Sequence, residues 1–296
     1  MGKAMMAQGA VKFGLSGVLL VACGSAVSDP KPSNAAGAAG SLGGSGAMAG
    51  SSNPAGSSGS AGSGGDPSVQ CPSATPALLA GATGKVSLPI QVTGAGTPLA
   101  TGQQVDPEGA TPYKISLLKF FISEPVLLKA DGSRIPGQLL DGAGTPRPYG
   151  LLMVDLEDPA TLSVSLAAPS GDYAGLELGI GVPAACNGGD PTTHVFPLNA
   201  DSDMYWTWGS QYLFIRVEGS AKADGAWSSF VHHVGFQQAF RITQVTGAVQ
   251  LTADGASAPS LHLDIDRLLV PPTAADPTDV WVADNFATRR VLTLAP

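Results

Sequence analysis

Apolar and polar residues alternate with a period of two along much of the chain beyond residue 80. Residues 85–93 set Val86, Leu88, Ile90 and Val92 on one side and Ser87, Gln91 and Thr93 on the other, the pattern of a half-buried strand. Residues 113–129 carry two apolar runs interrupted at Pro125, followed by the turn chemistry of Ala130-Asp131-Gly132-Ser133. Further strands are predicted over residues 151–156, 161–166, 176–182, 212–218, 240–251 and 261–269, and residues 281–294 predict one short helix or an edge strand. No segment sustains a helical period for three or four turns. The expectation is an all-β domain over residues 71–296, an antiparallel sandwich or barrel.

The first seventy residues read differently. Residues 33–66 are almost entirely Gly, Ala and Ser, with Asn34, Leu42, Met48, Asn53 and Pro54 as the interruptions before Asp66. Such a stretch has no face to bury, so a disordered tether is expected over residues 23–70, of which residues 24–66 span about 35 Å on average by the scaling of Gly-rich chains. Ahead of it, Lys3 and Lys12 precede an uncharged apolar run over residues 13–22, too short to span a bilayer and laid out as a secretory signal. The run ends Leu20-Val21-Ala22-Cys23-Gly24, which resembles a bacterial lipobox. Cleavage before Cys23 and lipidation of its sulfur are expected, with the membrane as a partner through that lipid. Gly24 in the next position points to the outer membrane, on its periplasmic or cell-surface side.

Charge and cysteine content narrow the function classes. Losing residues 1–22 removes two lysines, leaving 13 basic and 23 acidic side chains and a net charge of −10, which excludes charge-driven nucleic-acid binding. Only 13% of residues are charged, whereas Gly (39) and Pro (24) abound, as suits a turn-rich β protein. Beyond Cys23 only Cys71 and Cys186 remain, and in an oxidising compartment they are read as one disulfide rather than a metal pair.

Residues 187–212 hold most of the candidate chemistry: Asp190-Pro191, His194, and then Asp203-Met204-Tyr205-Trp206-Thr207-Trp208. Trp206 and Trp208, two apart, share a face if the segment is a strand. Phe230-Val231-His232-His233-Val234-Gly235 follows, and its adjacent histidines must point to opposite faces unless a bulge intervenes. One of the pair, with a partner such as His194, could offer neutral imidazoles to copper or zinc; each is equally readable as a surface or hydrogen-bonded residue. His262, between Leu261 and Leu263, is expected to face solvent. Asn199, Asp201 and Asp203 have the one-three-five spacing of a calcium loop. Met204 and Ser210 stand where that loop needs Gly and Glu, so a solvated turn is expected. There is no Gly-x-Ser-x-Gly elbow, no His-Glu-x-x-His and no phosphate loop, and no enzymatic activity is expected.

Taken in order, a series of short blocks resembles the MbnP family, periplasmic copper-binding proteins of methanobactin cassettes related to MopE and CorA. The blocks are Lys119-Phe120-Phe121-Ile122-Ser123, Leu128-Lys129-Ala130-Asp131-Gly132, Val154-Asp155-Leu156-Glu157-Asp158 and Gly171-Asp172-Tyr173-Ala174-Gly175-Leu176. They continue through Gly179-Ile180-Gly181-Val182-Pro183, Asp190-Pro191 and Pro197-Leu198-Asn199. Met204-Tyr205-Trp206-Thr207-Trp208-Gly209-Ser210-Gln211-Tyr212 and His233-Val234-Gly235 close the series. The resemblance implies a β-rich fold and a copper site built from histidines. His233 is the first candidate ligand, with His194 and His232 beside it. It further implies oxidation of Trp206 or Trp208 to kynurenine by a di-haem partner of the MbnH type. The chain departs from the pattern twice. Asn187-Gly188-Gly189-Asp190 stands where relatives often read Asn-His before Asp-Pro, and residues 236–240 lack a cysteine that relatives often carry. The alternative reading is a non-catalytic binding or structural domain that has kept the fold without the metal.

Overall fold

A computed structural model describes residues 70–207, 209–255, 259–271 and 279–295. The predicted signal, the Cys23 anchor and all but the last residue of the tether lie outside the described residues, as does Trp208. Two sheets share one hydrophobic core. The smaller runs Leu292–Ala295, Ser260–Asp264, Gly84–Gly94, Ser163–Ala168 and Gln138–Leu140, with Thr97–Pro98 beside the central strand. The larger runs Tyr205–Trp206, Gln211–Ala223, Tyr113–Leu128, Gly171–Ile180 and Arg241–Leu251. Ala226–Gly235 adds to it as a hairpin partner of Gln211–Ala223, and Leu152–Asp155 pairs with Tyr113–Leu128. A bridge between Lys85 and Thr252 joins the two sheets at one corner.

The alternation that predicts the first strand is realised residue by residue: Val86, Leu88, Ile90 and Val92 are buried and their neighbours face outward. Pairing is antiparallel except between Gly84–Gly94 and Ser260–Asp264, which run parallel because the chain traverses the whole larger sheet before returning. Pro125 does not end its strand. The ladder to Gly171–Ile180 shifts register between Ser123 and Val126, so proline's missing N–H falls where the regular ladder is already interrupted, and the strand continues to Leu128.

The C-terminal expectations need two corrections. Residues 261–269 are not one strand: Asp264 accepts a hydrogen bond from the Arg267 N–H and caps a single helical turn, Ile265–Leu268. The final segment holds both a helix, Val280–Thr288, and a strand, Leu292–Ala295. The helix packs Phe286 on Phe120, ring centroids 5.4 Å apart. Its buried Asn285 donates to the carbonyls of Leu268 and Val270 (both 2.9 Å) and accepts from Arg289, so the polar side chain is satisfied in the core. Ala226–Gly235, absent from the predicted strands, is exposed over its first half and therefore lacks an apolar rhythm there.

One strand positions the site. Phe120, Phe121 and Ile122 are all fully buried although neighbours on a strand face opposite ways. Phe120 meets the helix, while Phe121 meets Tyr212 edge-on at 6.5 Å on the other side. An unbroken apolar run is what burial on both faces requires.

Candidate functional site

The outer cover over Phe121 is the segment between Gly181 and Trp206, tied down at its start by the bond between Cys71 and Cys186, 115 residues apart. Asn187 follows the disulfide. Its side chain accepts from the Tyr212 N–H (3.0 Å) and reaches Gln237 (3.4 Å), docking the loop on the strand Gln211–Ala223 and on the short helical turn Gln237–Ala239. Asp190 caps the short turn Pro191–Thr193 by accepting from the Thr192 N–H, and the hydrogen bond from the Thr192 hydroxyl, with that from the N–H, holds its carboxyl below the usual range. The turn delivers His194.

His194 is gripped on two sides. Its ring meets Tyr149 edge-on at 5.4 Å, and the Tyr149 hydroxyl accepts from the next residue's N–H, that of Val195, at 3.0 Å. Its Nδ1 lies 2.9 Å from the Tyr212 hydroxyl. That hydroxyl has a single proton, and it also contacts the Leu198 carbonyl oxygen, which can only accept. The tyrosine proton therefore goes to Leu198, and Nδ1 of His194 carries the proton it donates to Tyr212. The tautomer is fixed with the lone pair on Nε2. Gly189 (φ +120°) makes room for this ring, since a Cβ there would sit 3.2 Å from its Cε1. Burial, with the neighbouring Tyr205, Tyr149 and Asp190, pushes the Tyr212 phenol well above its ordinary value, so it stays protonated.

His233 lies on the same side of the sheet. Asp155, Lys119, Arg216 and His233 form one cross-strand row. Lys119 shares a face with Phe121, two residues on. The row is held by ion pairs and a hydrogen bond: Lys119 pairs with Asp155 at 3.3 Å, Arg216 pairs with Asp203 and with Glu218 (2.7 Å), and His233 Nε2 hydrogen-bonds Glu218 Oε1 at 2.8 Å. The His233 hydrogen bond, then Arg216, holds the Glu218 carboxyl below its ordinary value against a smaller effect of burial. His232 faces the opposite side, between Phe230 (5.4 Å) and Trp281 (5.0 Å), with Nδ1 3.1 Å from Asp279 Oδ1. The adjacent histidines thus have separate environments, as strand geometry requires.

Trp206 is half-buried, in register with Gln211, and its ring lies 5.3 Å from Phe236. The spacing of Asn199, Asp201 and Asp203 resolves into a turn: Asn199 donates to Asp201 (2.7 Å), and Asp203 is spent on Arg216. His262 is half-buried between buried Leu261 and Leu263. Among the described residues no three His, Cys, Asp or Glu side chains converge on a point that would hold an ion. What the site offers is His194, oriented by Tyr149 and Tyr212, and His233, oriented by Glu218. Tyr149 and Glu218 carry no motif in the sequence, and Tyr212, though it closes the Met204–Tyr212 block, is not marked there as the partner of His194. Their contacts span separations of 46, 18 and 15 residues that no local pattern reports.

Residues 83–285 match the family model MbnP. The chain belongs to the MbnP family. The match runs from the residue before the first strand to Asn285 in the C-terminal helix, taking in His194, Trp206, Tyr212, His232 and His233 but not Cys71. No curated protein matches the chain. Among solved structures it is similar to MbnP from Methylosinus trichosporium, at 16% identity over 62% of this chain and 76% of that one, with a TM-score of 0.46. Within this MbnP domain, and among the described residues, no helix is long and apolar enough to cross a membrane.

Proposed function

We propose that this MbnP-family chain is a membrane-anchored, extracytoplasmic copper-binding protein and not an enzyme. Copper is its cargo. Cys23 is the lipid attachment point, and the outer membrane the destination. The observation that carries the reading is His194: an imidazole whose tautomer is set by Tyr212 and whose Nε2 is left to an incoming ion. Imidazole suits copper, and a second group that fixes tautomer and orientation is how ligating histidines are held. Family membership supports the same assignment. Trp206 and Trp208 are the candidates for oxidation to kynurenine by a di-haem partner.

The test is copper stoichiometry on protein purified from its native host, with mass analysis of the peptide bearing both tryptophans. About one copper per chain is expected in the wild type, and His194→Ala is expected to weaken binding by at least about tenfold, the scale of losing a positioned imidazole. A native protein without copper and with both tryptophans intact would refute the proposal. The second reading, a domain that has kept the fold without the metal, is favoured by Asn187-Gly188 standing where relatives often read Asn-His and by the lack of a three-donor cluster among the described residues. It predicts that neither His194→Ala nor His233→Ala changes copper binding.

A further inference from the structure

A cavity on the far side of Tyr149 from His194 takes no part in the copper reading. Its outer wall is the segment 70–79, which is fastened at several points. The Cys71–Cys186 bond holds its start, and the Tyr149 N–H donates to the Ser73 carbonyl at 3.0 Å. The Gln138 side chain accepts from the Leu79 N–H (2.7 Å) and donates to the Ala77 carbonyl (2.8 Å). The inner wall is the irregular point of the Tyr113–Leu128 strand. Between the walls lies a volume of about 260 Å³, lined mainly by apolar surface from Pro76, Leu79, Pro125, Leu139 and Tyr149.

Beside the neutral amides of Gln70 and Gln138, the charged residue in that lining is Glu124. It has φ +45°, in the left-handed region that residues other than glycine seldom adopt, at the register shift between Ser123 and Val126. Glu124 is exposed, so it sits at the mouth of the cavity rather than in its depth. The apolar wall still desolvates the carboxyl and raises its pKa above the ordinary value, and among the described residues no donor or cation acts against that. A partly desolvated, unmatched carboxylate is an unfavourable feature that an incoming cation would relieve. The volume falls just under the range of about 300–1,000 Å³ that accommodates drug-sized ligands, so the guest is of fragment size.

We propose that this cavity binds a small organic cation, an alkylammonium or arylalkylammonium, with its apolar body between Leu79 and Tyr149 and its charged nitrogen on Glu124. The purified full chain, freed of metal, is titrated at pH 7 with n-hexylammonium, n-hexanol and n-hexanoate, and binding is followed by calorimetry or ligand-observed NMR. Hexylammonium is expected to bind about tenfold more tightly than hexanol, the value of one charge-assisted hydrogen bond, with hexanoate the weakest. Glu124→Gln should bring hexylammonium down to the affinity of hexanol and leave hexanol unchanged. Ala185→Trp, which fills the cavity from its rim, should abolish binding of all three with the circular dichroism spectrum preserved. Should that variant not fold, Glu124→Gln decides the matter alone. Equal binding of hexylammonium and hexanol by the wild type, no binding of either, or an ammonium preference that survives Glu124→Gln would overturn the proposal. None of these results depends on copper.

Discussion

Tyr212→Phe removes one oxygen and keeps the ring, so it isolates the hydrogen bonds that orient His194. Tyr212 is fully buried and packs edge-on against Phe121 and Tyr205, contacts that phenylalanine preserves. The lost hydroxyl strands the Leu198 carbonyl, on a residue with no solvent exposure and no other donor among the described residues. An unsatisfied buried acceptor costs about 1–3 kcal/mol. His194 Nδ1 loses its acceptor as well, but the ring is only half-buried and can rehydrate in part, adding about 0.5–1 kcal/mol. The sum is about 1.5–4 kcal/mol. In urea denaturation of metal-free protein, with a slope of about 3 kcal/mol/M for a domain of this size, the midpoint should fall by about 0.5–1.3 M at unchanged slope. Tyr205→Phe is the control: the Tyr205 hydroxyl makes no hydrogen bond among the described residues, and its loss should cost less than about 0.5 kcal/mol. With copper present, Tyr212→Phe should also weaken affinity by about 10–100-fold, because the imidazole is no longer held in one tautomer. A Tyr212→Phe midpoint within about 0.2 M of wild type, or equal effects of the two substitutions, would refute the assigned hydrogen-bond direction.

Two further outcomes follow from the same structure. Glu218→Gln should destabilise the domain at neutral pH. Because the folded pKa of Glu218 lies below its ordinary value of about 4.3, the contribution is whole above that value and is lost as the pH falls through the folded pKa. Wild-type and variant denaturation midpoints should therefore converge on acidification, and a constant gap down to full protonation would contradict the pairing with His233 and Arg216. Replacing Cys71 and Cys186 by serine opens a link spanning 115 residues, for which chain entropy gives about 4–5 kcal/mol and measured cases commonly about 2–4. A thermal melt of the double variant that matches the oxidised wild type would contradict it.

The all-β character and most strand positions were legible in the sequence because burial of one face imprints a period of two, a relation between residues i and i+2 that needs no distant partner. The run Phe120-Phe121-Ile122 likewise announces burial on both faces, and the adjacency of His232 and His233 already places them on opposite sides. Sequence alone could not show that Pro125 sits inside a strand, since that depends on where the neighbouring ladder shifts register. It could not reveal the strand Ala226–Gly235, whose outward residues follow no apolar rhythm, nor the capped turn after Asp264.

The site divides along the same line. His194, His232, His233, Trp206 and the two cysteines stand out by residue type and local company. Tertiary structure alone decides what each can do: Tyr212 and Leu198 give His194 its tautomer, Glu218 takes up His233, and Asp279 takes up His232. The cavity at Glu124 belongs wholly to the fold, because the disulfide-held segment 70–79 and a strand irregularity distant from it in sequence meet there. Hydrogen-bond partners are chosen by proximity in space, and a one-dimensional pattern carries that information only where the chain's own period brings the partners together.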